Sequence, residues 1–205
     1  MHKIFGPSAA QLSSGDPVAD NNDFKRFSAH AAGGTRVEQL DDNTAQVYIG
    51  PQDWPFPIPL VRAADGKWYF NTPAGISTIL ARKIGHNELE TIGVCQAYVE
   101  AQREYASVDR DGDGVLQYAQ RLFSKPGTHD GLYWPAVAGQ AQSPFGPLAA
   151  QAADEGYQPI KGAARRPYHG YYFRVLKAQG PAGPGGAYSY VINGRMIAGY
   201  ALVAW

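Results

Sequence analysis

Three aspartates alternate at Asp109, Asp111 and Asp113 in the stretch SVDRDGDGVLQYAQRL, residues 107–122, and Gly114 follows them. Alternating carboxylates in a tight loop face one side, the arrangement that a hard, oxygen-seeking cation such as calcium requires. Counted from Asp109 as a twelve-position EF-hand-type frame, the three aspartates hold positions one, three and five. Gly114 stands at six, where the backbone turns sharply, and Val115 offers its carbonyl at seven. Leu116 at eight is apolar, as packing beside such a loop wants, and Gln117 at nine can ligate through water. The frame departs at twelve, where a bidentate glutamate is expected and Gln120 stands. A neutral amide brings one oxygen and no charge, so either affinity falls or another carboxylate completes the shell. Asp130, Glu104 and Asp154 are the candidates, with Asp130 nearest downstream in a loop. The competing reading is a solvated Asp/Gly turn that holds no ion. With oxygen ligands only and no nucleophile nearby in sequence, a calcium ion here would serve folding rather than reaction.

Other chemistry is sparse, and no catalytic residue is assigned. His2, His30, His86, His129 and His169 form no pair at zinc-ligand spacing, and Cys95 alone can build neither a thiolate site nor an internal disulfide. No G-x-S-x-G elbow and no phosphate-binding P-loop occur. GPAGPGG, residues 180–186, reads as a hairpin connector. His129 reads as a loop histidine and His169 as a half-buried strand histidine bonded to backbone. Arg165 and Arg166 can grip an anion but read as solvated. Trp54, Trp68, Trp134 and Trp205 read as core or hairpin anchors. Lys plus Arg equals Asp plus Glu at 18 each, which removes the electrostatic footprint of a nucleic-acid or anionic-membrane binder. No apolar run reaches the ~18–20 residues of a membrane helix.

The elements that must position the loop divide the 205 residues into two halves, 1–85 and 86–205. The first is a small α+β half: short helical pieces, a strand over Ala45–Ile49, and a hairpin turning at Asp65-Gly66 between apolar runs. A helix follows from a Thr72 cap and Pro73 to Gly85, with Ile76, Ile79, Leu80 and Ile84 as its stripe. A second helix starts from an Asn87/Glu90 capping box. Ile92, Cys95, Val99 and Ala106 lie on one face, widened by Val94, Tyr98, Ala101 and Tyr105, and the helix enters the Asp loop directly. Beyond the loop the pattern predicts a short helix near Tyr118–Phe123, a turn-rich stretch, and three antiparallel strands packed on the long helix. The fold class is therefore α+β: a long amphipathic helix on an antiparallel sheet.

Several phrases carry a resemblance. SSGDPVAD, QDWPFPIPL, RKIGHNELETIGVCQAYVEAQREYASVDRDGDGVLQYAQ, DGLYWP, SPFGPL, PYHGYYFRVLKAQGPAGPGGAY and MIAGYALVAW resemble the bacterial domain-of-unknown-function family 2950 over nearly the whole chain. The resemblance implies an exported envelope protein, periplasmic or secreted, normally made with a leader and continuing past Trp205, and implies no established activity. Residues 86–205 are also similar to the soluble heads of type II secretion pseudopilins, some of which use a loop-bound calcium. These residues lack the apolar N-terminal half-helix of pseudopilins, so assembly into a pilus is not expected.

The expectation is a non-catalytic envelope protein with a calcium-stabilised loop built from Asp109, Asp111, Asp113, Val115, Gln120 and Asp130. It has no nucleic-acid partner and no membrane span, and an envelope protein is a possible partner. The alternative is a small-ligand binder or hydrolase-type enzyme with a pocket between the halves, suggested by Tyr and Trp near His169 and Arg166. A third reading is an interaction module that uses an exposed sheet edge.

Overall fold

The computed structural model describes residues 5–157 and 167–205. It combines helices with antiparallel strand pairs, an α+β fold. The chain divides into two compact units that part between Glu88 and Leu89.

In the first unit, helix α1 spans Pro17–Ala32. Asp16 starts it: its buried carboxylate accepts the Val18 and Ala19 amides at 3.0 and 3.2 Å, and Pro17 takes the first turn, where a missing N–H costs nothing. Five strands follow: β1 (Thr35–Gln39), β2 (Thr44–Ile49), β3 (Trp54–Pro55), β4 (Leu60–Arg62) and β5 (Trp68–Phe70). They form one antiparallel sheet in the order β1-β2-β4-β5, with β3 also paired to β2. In β2, Ala45, Val47 and Ile49 are buried while the residues between them are half-buried, so one face makes the core. The β4–β5 hairpin turns at Asp65-Gly66, as the sequence predicts. The Asp65 carboxylate accepts the Lys67 amide and Gly66 takes a φ of 83°. Val47, Ile49, Phe56 and Ile58 form the core, and Phe5, Phe27 and Phe70 pack around them. Phe56 lies 5.5–5.9 Å from each of those three rings, in tilted or edge-on contacts worth about 0.5–1.5 kcal/mol per pair beyond area burial.

Helix α2 spans Thr72–Ala106 without a break. This corrects the expected stop at Gly85 and restart at Asn87. A glycine ends a helix by taking positive φ, and Gly85 does not; inside a helix it costs about 1 kcal/mol and interrupts nothing. Thr72 is the first helical residue, and its hydroxyl donates to the Phe5 carbonyl at 2.7 Å. Gly75 fits there because a Cβ would lie 2.6 Å from the Pro57 carbonyl oxygen and 2.8 Å from the Ile58 Cα.

In the second unit, α2 buries Val94, Tyr98, Ala101 and Tyr105. Ile92, expected on the core face, is 53% exposed, so the widening stripe is the true core stripe. Tyr98, Ala101 and Tyr105 cluster with Ala119, Leu132, Trp134 and Phe145, the last of which precedes helix α3 (Gly146–Asp154). The expected helix near Tyr118–Phe123 is absent. That segment makes single bridges instead, Tyr118 to Met196 and Phe123 to Tyr133. Its Ala119 peptide is held by Gln102, which is fully buried: Oε1 accepts the Ala119 amide at 2.8 Å and Nε2 donates to the Ala119 carbonyl at 2.9 Å. The side-chain amide thus pairs with the peptide much as a neighbouring strand would.

The expected three-stranded sheet is also corrected. β6 (Phe173–Leu176) pairs with β11 (Ala201–Ala204), β7 (Ala178–Gln179) with β8 (Tyr188–Ser189), and β9 (Val191–Ile192) with β10 (Arg195–Met196). Frequent turns keep the strands of β7 to β10 at two residues each, too short for one continuous ladder. Val175 of β6 and Leu202 of β11 pack against the Tyr98 cluster, and the Tyr98 hydroxyl donates to the Ala201 carbonyl at 3.2 Å. Burial pushes the Tyr98 phenol up to about 12.

Candidate functional site

The Asp loop leaves α2 at Ala106 and folds around its first carboxylate. Asp109 Oδ1 accepts the amides of Asp111 and Gly112 at 3.2 and 2.9 Å, and Oδ2 accepts that of Gly114 at 2.8 Å. Gly112 and Gly114 both take positive φ, which makes this winding accessible. These bonds, the Gly114 amide first, outweigh partial desolvation and hold the Asp109 carboxyl below the usual range. Asp113 closes the next turn through the Val115 amide at 2.9 Å. The Asp111 carboxylate accepts Gln117 Nε2 at 2.6 Å.

Asp130 is organised separately. Its Oδ1 accepts the Lys125 amide at 2.9 Å and the Thr128 hydroxyl at 2.8 Å. Burial raises its carboxyl, but these two bonds and the charges of Arg121 and Lys125 outweigh it, so the group sits below the usual range.

A cleft of about 380 Å³ brings the two loops together. Asp111, Asp113, Gln120 and Asp130 line it, joined by Tyr105 and Tyr118 and by Asn193, Gly194 and Arg195 from the β9–β10 turn. Asp109 and Val115, expected as ligands, do not line it. Leu116 is 56% exposed and does not pack as an eighth-position residue was expected to. Two cations line the cleft: Arg195, whose Nε donates to Asp113 Oδ2 at 3.0 Å and whose Nη2 contacts the same oxygen, and Arg121, whose Nε stands 3.5 Å from Asp130 Oδ2. Gln120 ties the loop to the turn, donating through Nε2 to the Gly194 carbonyl at 2.7 Å and accepting Lys177 at 3.1 Å.

The donor set fits a hard cation in part. Each carboxylate keeps lone pairs beyond those used by the amides, and Asp111, Asp113 and Asp130 share one cleft. Among the described residues, however, no three His, Cys, Asp or Glu side chains stand as a ready ligand set. Arg195 already neutralises Asp113, and Gln120 spends its amide on Gly194 and Lys177. Glu104 and Asp154, the other carboxylates considered for the shell, do not line the cleft.

Gln117, expected at position nine, lines the cleft, whereas Arg195, Arg121 and Asn193 were not assigned to the site from the sequence. The signal for two of them is Asn193-Gly194, a two-residue turn with φ of 49° and 81° that closes the β9–β10 hairpin and presents Arg195. His129 and His169 do not line the cleft. The His129 ring stacks on Trp134 at 4.3 Å, and its backbone carbonyl accepts the Tyr105 hydroxyl at 2.8 Å. His169 takes a φ of 49° and its Nε2 stands 3.2 Å from Glu155 Oε2. Burial and the nearby Glu155 and Glu90 carboxylates push the adjacent Tyr168 phenol up. Arg165 and Arg166 lie outside the described residues. No helix among the described residues is long and apolar enough to cross a membrane.

No curated protein and no solved structure matches the chain. Residues 1–205, the whole chain, match the family described as protein of unknown function (DUF2950), and the chain belongs to that family.

Proposed function

We propose that this is a non-catalytic exported envelope protein whose second unit carries a calcium-responsive cleft, with a partner protein in the same compartment. The supporting observation is the convergence of Asp111, Asp113 and Asp130, from two separately organised loops, on one polar cleft. Asp111, Asp113 and Asp130 would hold the ion. Asp109 braces the loop, and the Val115 carbonyl and Gln120 are the remaining oxygens of the frame. Because Arg195 engages Asp113, and Arg121 and Lys125 stand within ion-pair reach of Asp130, calcium competes with resident cations for two carboxylates. That sets a modest affinity and makes the site responsive rather than permanently filled. Binding to the folded state alone stabilises it by about 2.7 kcal/mol at a hundred times the dissociation constant. The packing of α2 against the β6–β11 pair supports a pseudopilin-like reading of this unit.

Thermal unfolding in excess calcium, in chelator and in magnesium tests the reading. A rise specific to calcium is expected, and Asp111→Ala should lower the midpoint in calcium but not in chelator. Equal shifts in both media would overturn it. A second reading takes the same cleft as a site for a small polar ligand. Its volume lies within the usual range for such sites, and its walls combine Tyr105, Tyr118 and Asn193 with charges of both signs. A cleft-directed ligand whose affinity survives Asp111→Ala would favour it.

A further inference from the structure

Strand β1 is an open edge. It pairs with β2 on one side over five consecutive positions, Thr35 with Ile49 to Gln39 with Ala45, with no bulge. All five residues are exposed, and among the described residues no strand pairs with its other side. Such an edge templates pairing, and proteins usually blunt it with proline, a bulge or charges of one sign. TRVEQ contains no proline, no glycine and no lysine, and its two charges are opposite.

The ladder fixes which groups face outward. The Leu40 amide donates to the Thr44 carbonyl at 3.0 Å, and the Gly50 amide donates to the Gly34 carbonyl at 2.8 Å. Positions 34 and 40 therefore bond towards β2, and by alternation so do Arg36 and Glu38. Thr35, Val37 and Gln39 present their N–H and C=O groups to the open side.

We infer that β1 is a self-pairing edge, joining a second copy of this chain by antiparallel β1–β1 addition centred on Val37. Two-fold symmetry about Val37 sets Val37 opposite its own copy, Thr35 opposite Gln39, and Arg36 opposite Glu38. The outward-facing residues then fall in hydrogen-bonded pairs. Arg36 and Glu38 fall in non-hydrogen-bonded pairs, where opposed side chains approach most closely. Within one chain Arg36 contacts Glu38 at 2.9 Å and Asp53 at 3.1 Å, so pairing joins these exposed charges into a network across the axis, with an Arg36–Glu38 contact on each side. Val37 stands opposite the buried Val47 on the core face and is itself 58% exposed; pairing extends that apolar face across the axis. The contact is isologous and closes at two copies. Five-residue strands give a small interface, so the dimer is weak.

Sedimentation equilibrium of the full chain from about 10 µM to about 1 mM reads this directly. Wild type is expected to dimerise within that range. Arg36→Glu and Glu38→Arg each place like charges opposite one another and should weaken association at least about tenfold. An equimolar mixture of the two variants restores opposite charges across the axis and should associate as tightly as wild type or more so. Val37→Pro deletes an outward N–H while sparing the β2 hydrogen bonds, and should be monomeric at temperatures where it remains folded. A wild type that stays monomeric to the top of the range overturns the inference and leaves the edge to an extended segment of another protein. So does a mixture no tighter than its folded components.

Discussion

The two units solve the same problem, ordering a chain rich in turns, by different means. The first uses backbone ladders: one antiparallel sheet whose β2 alternates buried and half-buried residues over a phenylalanine cluster. The second has only short strand pairs and adds side-chain pins to them. Gln102 pairs with the Ala119 peptide, Gln120 reaches Gly194, Tyr98 reaches Ala201, and Tyr105 reaches the His129 carbonyl. A sheet is hard to re-aim, whereas loops pinned at single points can set carboxylates from different parts of the chain around one cleft. The unit with less regular structure is accordingly the one that carries the candidate site.

Each unit can be disrupted at its own pinning points. The largest effect is expected where a glycine admits a close backbone approach. Gly75→Val in the first unit and Gly131→Val in the second should each cost at least about 3 kcal/mol. At Gly131 a Cβ would lie 2.7 Å from the Phe123 carbonyl carbon and the Ser124 nitrogen, so backbone, not a flexible side chain, must move. Chemical denaturation measures both, and a cost under about 1 kcal/mol at either would show that the local packing relaxes.

Gln102→Leu comes next. It removes a side-chain amide that satisfies a buried peptide and strands the Ala119 N–H and C=O, at about 2–4 kcal/mol. Ile58→Ala, fully buried in the first unit, should cost a similar 2–4 kcal/mol through a cavity. The two costs differ in kind. Hydrogen exchange in the Gln102 variant should rise at Ala119 and the segment around it, whereas the cavity variant should loosen the β2 strand.

Arg195→Gln should act on the cleft alone. It frees Asp113 from its ion pair, and because that pair is partly exposed the change is about 0.5–1 kcal/mol, a two- to fivefold tightening for calcium. Unchanged or weaker calcium binding would remove the proposed competition.

The smallest effect is a pH dependence. The folded carboxyls of Asp109 and Asp130 sit below their unfolded values. Their contribution is therefore complete above the unfolded value near 3.9 and is lost as pH falls through the folded value. Melting midpoints should decline below about pH 4, and Asp109→Asn should flatten that decline.

The first unit was largely legible because alternation in β2 and the Asp65-Gly66 turn are local signals. The long helix was legible in type but not in extent, since Gly85 and the Asn87/Glu90 spacing imitate helix ends and only the backbone conformation shows that they are not. The second unit was less legible because its order comes from contacts far apart in sequence, such as Gln102 with Ala119 and Asp113 with Arg195. The carboxylates of the site stood out by their spacing. The arginine that answers them did not, because its place depends on the Asn193-Gly194 turn that the sequence reading passed over.

Calorimetric titration of calcium into the protein, alongside Asp111→Ala and a magnesium control, reads the cleft itself. One calcium per chain is expected to bind at modest affinity, with binding lost in Asp111→Ala and not reproduced by magnesium. No heat of binding, or equal binding by the variant, would contradict it and leave the Asp109 loop as a turn held together by its own amides and Arg195.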